Sequence, residues 1–198
     1  MIDSADFESL FSKLGYAFFT KGDFNLNIIG VRNLLGGNVQ DDTFNDALLV
    51  IYKEKGKWVR KVWSITTDPG KSEMKNPSNS KGTAILVPGQ YRSTYKVDLH
   101  GGKYKALCQR LKPVSVYRDR NKDNRLDMDK STIQTGMFGI NIHRASSSGT
   151  TKNVGPYSAG CQVFANVKDF EAFMELVERS ESIFGPAFTY TLITTDEL

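Results

Sequence analysis

The chain is divided into many short apolar runs, and this division limits the folds open to it. Gly, Pro, Asn and Asp, the residues that favour turns, separate the runs. Residues 47–52 and 58–63 flank Lys55-Gly56 and predict a β-hairpin. Further strand-like runs span 83–87, 95–100, 114–117 and 188–192, while 104–111 fits a strand or a helical turn. This pattern predicts a mainly β domain, a sandwich or a barrel, with its helices outside the sheet.

Two segments change from a strand period to a helical one. Residues 3–13 carry an apolar stripe with helical spacing. A longer stripe follows Asn166, which has capping-box spacing to Asp169, and Gly185-Pro186 ends it. Its apolar members are Val167, Phe170, Phe173, Met174 and Val177. We therefore expect an N-terminal helix and one amphipathic helix that buries its stripe in the core.

Composition narrows the class of protein. A chain of 198 residues fits one domain, or one domain with a short appendage, and its 39% apolar and 24% charged fractions are ordinary for a soluble protein. No apolar run reaches the ~18 residues of a membrane span. The acidic start, residues 1–6, lacks the basic and apolar segments of a secretory signal, so we expect synthesis in the cytoplasm. The net charge of +4 favours a polyanionic partner without identifying it.

One histidine and one cysteine stand at the edges of apolar runs in residues 136–164. The run 137–142 predicts a strand that ends at His143, and alternation places His143 on its polar face. Cys161 follows Gly160 and precedes another apolar run. A thiol nucleophile and its base need this pair of residue types. A neighbouring imidazole would lower the thiol pKa and give an ion pair, and the backbone N–H groups of Gly160 and Cys161 would face an oxyanion.

The alternative for this pair is a buried, inert cysteine and a surface histidine, which the residue types alone favour equally. Cys108 follows Ala106-Leu107 and is expected in the core. With two cysteines the chain has no disulfide framework. With two histidines and no HExxH spacing, a zinc hydrolase has little support.

The spacing of these residues resembles a known signature. His143, fourteen intervening residues and then Ser158, Gly160 and Cys161 are similar to the motif of the L,D-transpeptidase catalytic domain (YkuD-like) family, in which Ser or Thr, His, Gly and Cys follow a first His. A weaker similarity joins Pro88-Gly89-Gln90-Tyr91 to a strand start of that family. The resemblance implies a β-sandwich-like catalytic domain over residues 41–198, with residues 1–40 as a helical and extended appendage.

The resemblance also implies an activity on peptidoglycan stem peptides. Cys161 would attack the carbonyl of a tetrapeptide's third residue and expel D-Ala, with His143 as general base. The acyl-enzyme would pass to an amine or to water, and no cofactor is needed. Gly160 would shape the catalytic loop beside the nucleophile. The expected substrate-contacting residues are Ser158, Ala159, Arg144, Asn141, Tyr157 and Gln162.

Three departures from the family motif bear on the chemistry. Ala159 replaces the second His, Arg144 follows the first His, and Val163 stands where the family commonly has Arg. Arg144, Lys152 or Gln162 would then hold a stem-peptide carboxylate. These departures suggest an outlying, virus- or mobile-element-borne branch that cleaves rather than cross-links and is delivered to the cell wall, for example with a virion. The alternative function is a catalytically inactive wall-binding or virion structural module.

Two other segments suggest binding. Asp119, Asn121, Asp123 and Asp127 occupy the first, third, fifth and ninth positions of a calcium loop, with Asn124 at the glycine position. Lys130 stands at the twelfth position, where that loop needs Glu, so a turn held by its own side chains is favoured slightly over structural calcium.

The hairpin of residues 47–63 combines basic and aromatic residues, which can bind a single strand of nucleic acid. Its members are Lys53, Lys55, Lys57, Arg60, Lys61, Tyr52, Trp58 and Trp63. A solvated hairpin with one buried face is the favoured interpretation, so nucleic acid is not an expected partner.

Overall fold

The computed structural model describes residues 4–39 and 41–198, and these form a mainly β protein, as the sequence predicted. Asp3, the predicted first residue of the N-terminal helix, lies outside the described residues. The helices are α1 (Ser4–Lys13), α2 (Lys71–Lys75) and α3 (Val167–Phe184). The strands are β1 (Asn27–Arg32), β2 (Asp46–Glu54), β3 (Lys57–Thr66), β4 (Thr83–Leu86), β5 (Gly89–His100), β6 (Tyr104–Gln109), β7 (Val114–Asp119), β8 (Gln134–Gly136), β9 (Ile142–Arg144), β10 (Gln162–Phe164) and β11 (Phe188–Thr194).

Eight strands close into a barrel in the order β1-β11-β5-β6-β9-β10-β3-β2. Neighbours are antiparallel except for two parallel pairs, β1 with β11 and β9 with β10. A second sheet, β4-β7-β8, lies outside this closed order. The barrel therefore places β9 and β10 side by side, although a loop of seventeen residues separates them in the chain.

The strand predictions succeed where turn residues bound the runs. β2 and β3 form the expected hairpin, and Lys55 and Gly56 at its turn have φ of 51° and 72°. Such left-handed pairs match the twist of two-residue hairpin turns. The ambiguous segment 104–111 contains β6, a strand paired with β5 and β9.

The N-terminal residues contribute to the barrel itself. α1 is the predicted helix, and its Phe7 and Phe11 pack on Ile29, Ile51 and Ile193 outside the barrel. β1 is buried throughout and hydrogen-bonds to both β2 and β11. Residues 27–32 are thus a barrel strand and not part of an appendage, because a closed barrel needs every strand of its ladder.

α3 covers one side of the barrel below the Cys161 loop. The Asn166 side chain accepts hydrogen bonds from the N–H groups of Lys168 and Asp169, as a helix N-cap does. The predicted stripe is buried, and the helix ends at Gly185 with φ 87°. Among the described residues, no helix combines the length and the apolarity that crossing a bilayer requires.

Residues 68–82 contain the short helix α2, which is bound beside the Cys161 loop. Asp42 Oδ1 accepts hydrogen bonds from the N–H groups of Lys71 and Gly155, at 2.8 and 2.9 Å. Gly70 N–H donates to the Ser158 carbonyl at 2.8 Å. A Cβ on Gly70 would lie 1.9 Å from the Gly155 oxygen, so only glycine permits this approach. Residues 70 and 71 are therefore anchored to the loop that precedes Cys161.

A buried arginine joins three segments at one end of the barrel. Arg32 is fully buried; its Nε lies 2.9 Å from Asp68 Oδ1, and its other nitrogens donate to the carbonyls of Leu86 and Thr67. Asp46 accepts from Thr67 N–H and Oγ1 in the same cluster. Burial, and then the charge of Asp68, raises the pKa of Asp46 to about 7. Arg32 thus pairs with the Asp68 carboxylate, and Thr67 connects this pair to Asp46 through its hydroxyl.

The raised pKa of Asp46 predicts that stability depends on pH. The folded state binds this proton more tightly than the unfolded chain, whose carboxyl titrates near about 4. The free energy of unfolding should therefore be greatest in mild acid and fall as pH rises towards about 7. Urea unfolding at about pH 5 and about pH 8 measures this, and Asp46→Asn should flatten the difference. Equal slopes in wild type and variant would contradict the assignment to Asp46.

Candidate active site around Cys161 and His143

The segment before His143 is not the predicted strand. β9 comprises only Ile142–Arg144, and Gly139 has φ 71°, which breaks an extended run. The Gln109 side-chain oxygen accepts hydrogen bonds from the N–H groups of residues 138, 139 and 140 at 2.8–3.1 Å. The turn is thus held by a side chain of β6. His143 consequently lies in the middle of a short strand and not beyond the end of a long one.

Cys161 lies immediately before β10, beside the start of β9. Gln162 pairs with Ile142 in the parallel ladder, and Gln162 N–H donates to the Asn141 carbonyl. The Cys161 Sγ accepts from Asn141 N–H and donates to the Gly139 carbonyl, both at 3.4 Å. The residue is partly exposed, whereas Cys108 is buried in the core as predicted.

The imidazole of His143 is fixed by the backbone carbonyl of the next residue. Its Nδ1 lies 2.9 Å from the Arg144 oxygen, and because a carbonyl only accepts, Nδ1 carries the proton. Nε2 then holds the lone pair, and it has no hydrogen-bond partner among the described residues. The Tyr104 hydroxyl lies 3.4 Å from the same Nδ1 and donates to the same carbonyl. The Arg144 main chain therefore sets the tautomer that a general base requires.

The register brings the two chemical groups to one face. Alternation along the paired strands gives Cys161, Asn141 and His143 the same side. Asn141 lies two residues before His143, ~7 Å along the strand. The sulfur's described hydrogen bonds go to the 139–141 backbone and not to the imidazole. The structure thus brings the pair to neighbouring strands without a direct bond between them.

The expected ion pair is wrong for the resting protein. Burial raises the pKa of the Cys161 thiol to about 11. Burial, together with the neighbouring His100, lowers the pKa of His143 to about 3. Both groups are neutral at pH 7, because burial opposes both charges and no oppositely charged group stabilises either one. Any use of the thiol as a nucleophile then requires proton transfer at the moment of attack.

The neutral pair predicts how Cys161 alkylation varies with pH. In the Cys108→Ala background, the iodoacetamide rate should rise about tenfold per pH unit from neutral pH towards about 10, following the thiolate fraction. Mass spectrometry of the modified peptide in samples quenched at successive times gives these rates. A rate that is already high and flat below pH 7 would show a preformed thiolate–imidazolium pair instead.

The loop before Cys161 depends on Gly160. Its φ is 113°, and a Cβ there would lie 2.4 Å from the Ala84 carbonyl oxygen of β4. Its N–H donates to Ser158 Oγ at 3.2 Å, while that hydroxyl donates to the Cys161 carbonyl. The Gly160 N–H is therefore turned away from the expected oxyanion position. The Cys161 N–H has no hydrogen bond among the described residues, so of the two it is the one free to face an oxyanion.

Gly160→Ala is expected to destabilise the fold by about 2 kcal/mol, from the strained φ and from the clash with β4. Chemical unfolding measures the change. Gly149→Ala is the matched control, because it also replaces a positive-φ glycine but meets no atom within 4 Å. Equal losses in the two variants would show that φ alone, and not contact with β4, matters at Gly160.

The remaining predicted substrate contacts divide into two groups. Tyr157 and Ala159 are exposed, and the Arg144 guanidinium lies 4.3 Å from the Tyr104 ring centre, half-buried. Ser158 and Gln162 are buried, and the Gln162 amide oxygen accepts from Tyr190 inside the barrel at 2.7 Å. These two residues shape the loop and the core rather than face a substrate groove. The Lys152 side chain is exposed.

His100 lies against His143, although the sequence does not mark it as a residue of this site. It ends β5 at a Gly101-Gly102 turn, which reads as an ordinary strand-end histidine. Its ring stacks on His143 at 3.9 Å between centres and 19° between planes. Asn141 Nδ2 lies 3.1 Å from its Nδ1. Nothing in the local sequence marks this contact, because barrel closure alone places β5 near β9.

The acidic loop is held together by its own side chains. Asn121 Oδ1 and Asp123 Oδ1 accept backbone N–H groups two residues on, as in Asx turns. Asp119 accepts from Asp127 N–H, and Asn121 Nδ2 donates to Asp127 at 2.6 Å. Asn124 has the predicted left-handed φ, 70°. The Asn121 side chain turns its N–H, and not its oxygen, towards the Asp127 carboxylate. The described residues contain no group of three or more His, Cys, Asp or Glu that could hold a metal ion. These hydrogen bonds account for the turn, and structural calcium here stays a prediction.

The basic hairpin uses its aromatic rings in packing. Tyr52 is buried against Phe24, and Trp63 packs on Phe164 and Phe173. Lys53 lies over Trp58 at 4.8 Å, and Trp58 also contacts Phe18. No ring of the three is therefore a free stacking platform for a base.

Comparison with known proteins does not assign the chain to a family. No protein-family model, no curated protein and no solved structure matches the chain. The site must be interpreted from its own residues.

Proposed function

We propose that this chain is a cysteine-dependent acyl-transfer enzyme that acts on peptidoglycan stem peptides through a thioester on Cys161. The observation that carries the proposal is the His143 tautomer, with Nδ1–H donated to the Arg144 carbonyl and Nε2 free as a base on the face shared with Cys161. An inert core histidine has no need of an unpartnered acceptor next to a partly exposed thiol.

The mechanism starts from neutral groups. The carbonyl carbon of the stem peptide's third residue would approach Sγ while His143 Nε2 removes the thiol proton. The Cys161 N–H would stabilise the oxyanion, and the imidazolium would return the proton to the departing D-Ala amine. The raised thiol pKa disfavours a resting thiolate, so substrate must complete the site.

The stem-peptide substrate class is supported by the spacing of His143, Ser158, Gly160 and Cys161. It is also supported by the pairing of β9, which carries His143, with β10, which directly follows Cys161. In this proposal the barrel is a divergent form of the L,D-transpeptidase catalytic fold. The protein would act at the bacterial cell wall after delivery, as a virion-associated enzyme would. Of the three residues expected to hold a substrate carboxylate, Arg144 is favoured over Gln162, because its guanidinium lies half-buried beside Tyr104 whereas the Gln162 amide points into the barrel.

The test is incubation of the full chain with stem tetrapeptides that carry either diaminopimelate or lysine at the third position. Release of free D-Ala and a mass increase on the Cys161 peptide are expected from at least one of them. Neither product from either peptide would overturn the substrate assignment. A mass increase on Cys108 alone would overturn the choice of nucleophile.

A second function is favoured by one observation, the absence of a bond between sulfur and imidazole. A catalytically inactive wall-binding or virion structural module would keep such a neutral, unpaired site. It predicts that the protein sediments with purified sacculi, releases no D-Ala and forms no acyl adduct.

A further inference from the structure

The hydrogen bonds of Asn141 fix the protonation of His100. The backbone N–H of Gln109 donates to Asn141 Oδ1 at 2.9 Å, so the other amide atom is the NH₂. That NH₂ faces His100 Nδ1 at 3.1 Å, and Nδ1 must therefore accept. The neutral His100 ring then carries its proton on Nε2. Burial lowers the pKa of His100, which keeps the ring neutral at pH 7.

The two stacked rings consequently hold opposite tautomers. His143 has Nδ1–H and an acceptor at Nε2, while His100 has an acceptor at Nδ1 and a donor at Nε2. Their planes are nearly parallel, and their ring centres lie 3.9 Å apart. Neither Nε2 has a hydrogen-bond partner among the described residues. A donor and an acceptor thus stand on adjoining rings. Neither is among the buried side-chain atoms that lack a partner, so water can reach both.

We infer that His100 and His143 together hold the water that hydrolyses the Cys161 thioester, so that this enzyme cleaves stem peptides rather than cross-linking them. This inference rests on the proposed acyl-transfer function. A water oxygen has two lone pairs, so it can accept from His100 Nε2–H, donate to His143 Nε2 and still attack. An amine nitrogen has one lone pair, which it must use to attack, so it cannot accept from His100.

The step balances without a further reactant. The water oxygen bonds to the thioester carbonyl carbon as its proton passes to His143 Nε2. The C–S bond then breaks, and the sulfur takes the proton back from the imidazolium. The products are the free carboxylic acid and the Cys161 thiol. His100 transfers no proton, because loss of its Nε2–H would leave an imidazolate; it acts as a hydrogen-bond donor to the water.

Two substitutions separate the donor from the stacked ring. His100→Phe keeps an aromatic ring against His143 but removes the Nε2–H. His100→Gln loses the ring but retains an oxygen to accept from Asn141 and an N–H to donate. If His100 only packs against His143, the Phe variant will be closer to wild type in its ratio of hydrolysis to aminolysis. If His100 donates to water, the Gln variant will be closer.

The measurement is the fate of acetyl-Cys161 formed from p-nitrophenyl acetate in the full chain, with and without glycinamide as competing amine. The ratio of acetate to acetylglycinamide is expected to fall about tenfold in His100→Phe, the loss of about one hydrogen bond, and to stay within about threefold of wild type in His100→Gln. An unchanged ratio in His100→Phe would overturn the inference while leaving acyl transfer in place. If no acetyl forms on Cys161 of wild type, the proposed function itself is overturned.

An independent readout needs no substrate. Nitrogen-15 NMR of the imidazoles should show His100 protonated at Nε2 and His143 at Nδ1 in the resting protein. The reverse tautomer at either ring would overturn the water-holding arrangement even if the enzyme proves active.

Discussion

Cys161→Ala is expected to abolish both D-Ala release and acyl-adduct formation, a loss of at least about 10³-fold. The thioester requires the sulfur, and the only other sulfhydryl, Cys108, is buried in the core with no exposed surface. Alanine removes one atom from a partly exposed site, so the fold should persist. The loss would therefore report chemistry rather than unfolding.

The matched control is Cys108→Ala. Its sulfur donates only weakly, 3.6 Å from the Asp98 carbonyl, and its loss leaves a small core cavity that costs about 1 kcal/mol. D-Ala release should stay within about twofold of wild type when measured well below the unfolding temperature. Residual activity in Cys161→Ala, or equal losses in both variants, would contradict a cysteine nucleophile at 161.

The second large effect concerns stability. Arg32→Leu should lower the free energy of unfolding by about 3–5 kcal/mol, because it leaves the Asp68 carboxylate buried without its cation. It also removes hydrogen bonds to the carbonyls of Leu86 and Thr67, which join β4 to the end of β3. The expected effect is a large fraction of the stability of a domain this size.

Arg110→Leu provides the comparison, since Arg110 pairs with Asp98 at the same 2.9 Å but on the surface. Solvent screens that pair, so its loss should lower the free energy of unfolding far less than the loss of Arg32 does. Urea titration of the two variants at neutral pH distinguishes them. Similar losses would show that burial does not set the value of the Arg32 cluster.

The loop before Cys161 contains motif residues that the fold itself requires. Gly160 is required by its φ and by the Ala84 carbonyl, and Ser158 is required to hold the Cys161 carbonyl. Both motif residues therefore have structural reasons for their identity, independent of catalysis. The residues that have no such reason are His143, with its free Nε2, and His100, with its free Nε2–H, and these two are the most informative positions for enzymology.

The sequence by itself determined several local elements and singled out the candidate site residues. Turn residues bounded the β2–β3 hairpin, helical spacing defined α3 with Asn166 as its N-cap, and the core position of Cys108 followed from its apolar neighbours. Each of these depends on residues close together in the chain, where backbone geometry and period carry the information.

Only the tertiary structure decided the environment of the site. The short β9 follows from a Gln109 side chain on β6, and the raised thiol pKa follows from burial in a closed barrel. The stacking of His100 on His143 joins residues forty-three positions apart in the sequence, brought together because β5, β6 and β9 are successive neighbours in the barrel. Periodicity reports which face a residue occupies, but not which distant side chain it meets there, because that contact is set by strand order and register.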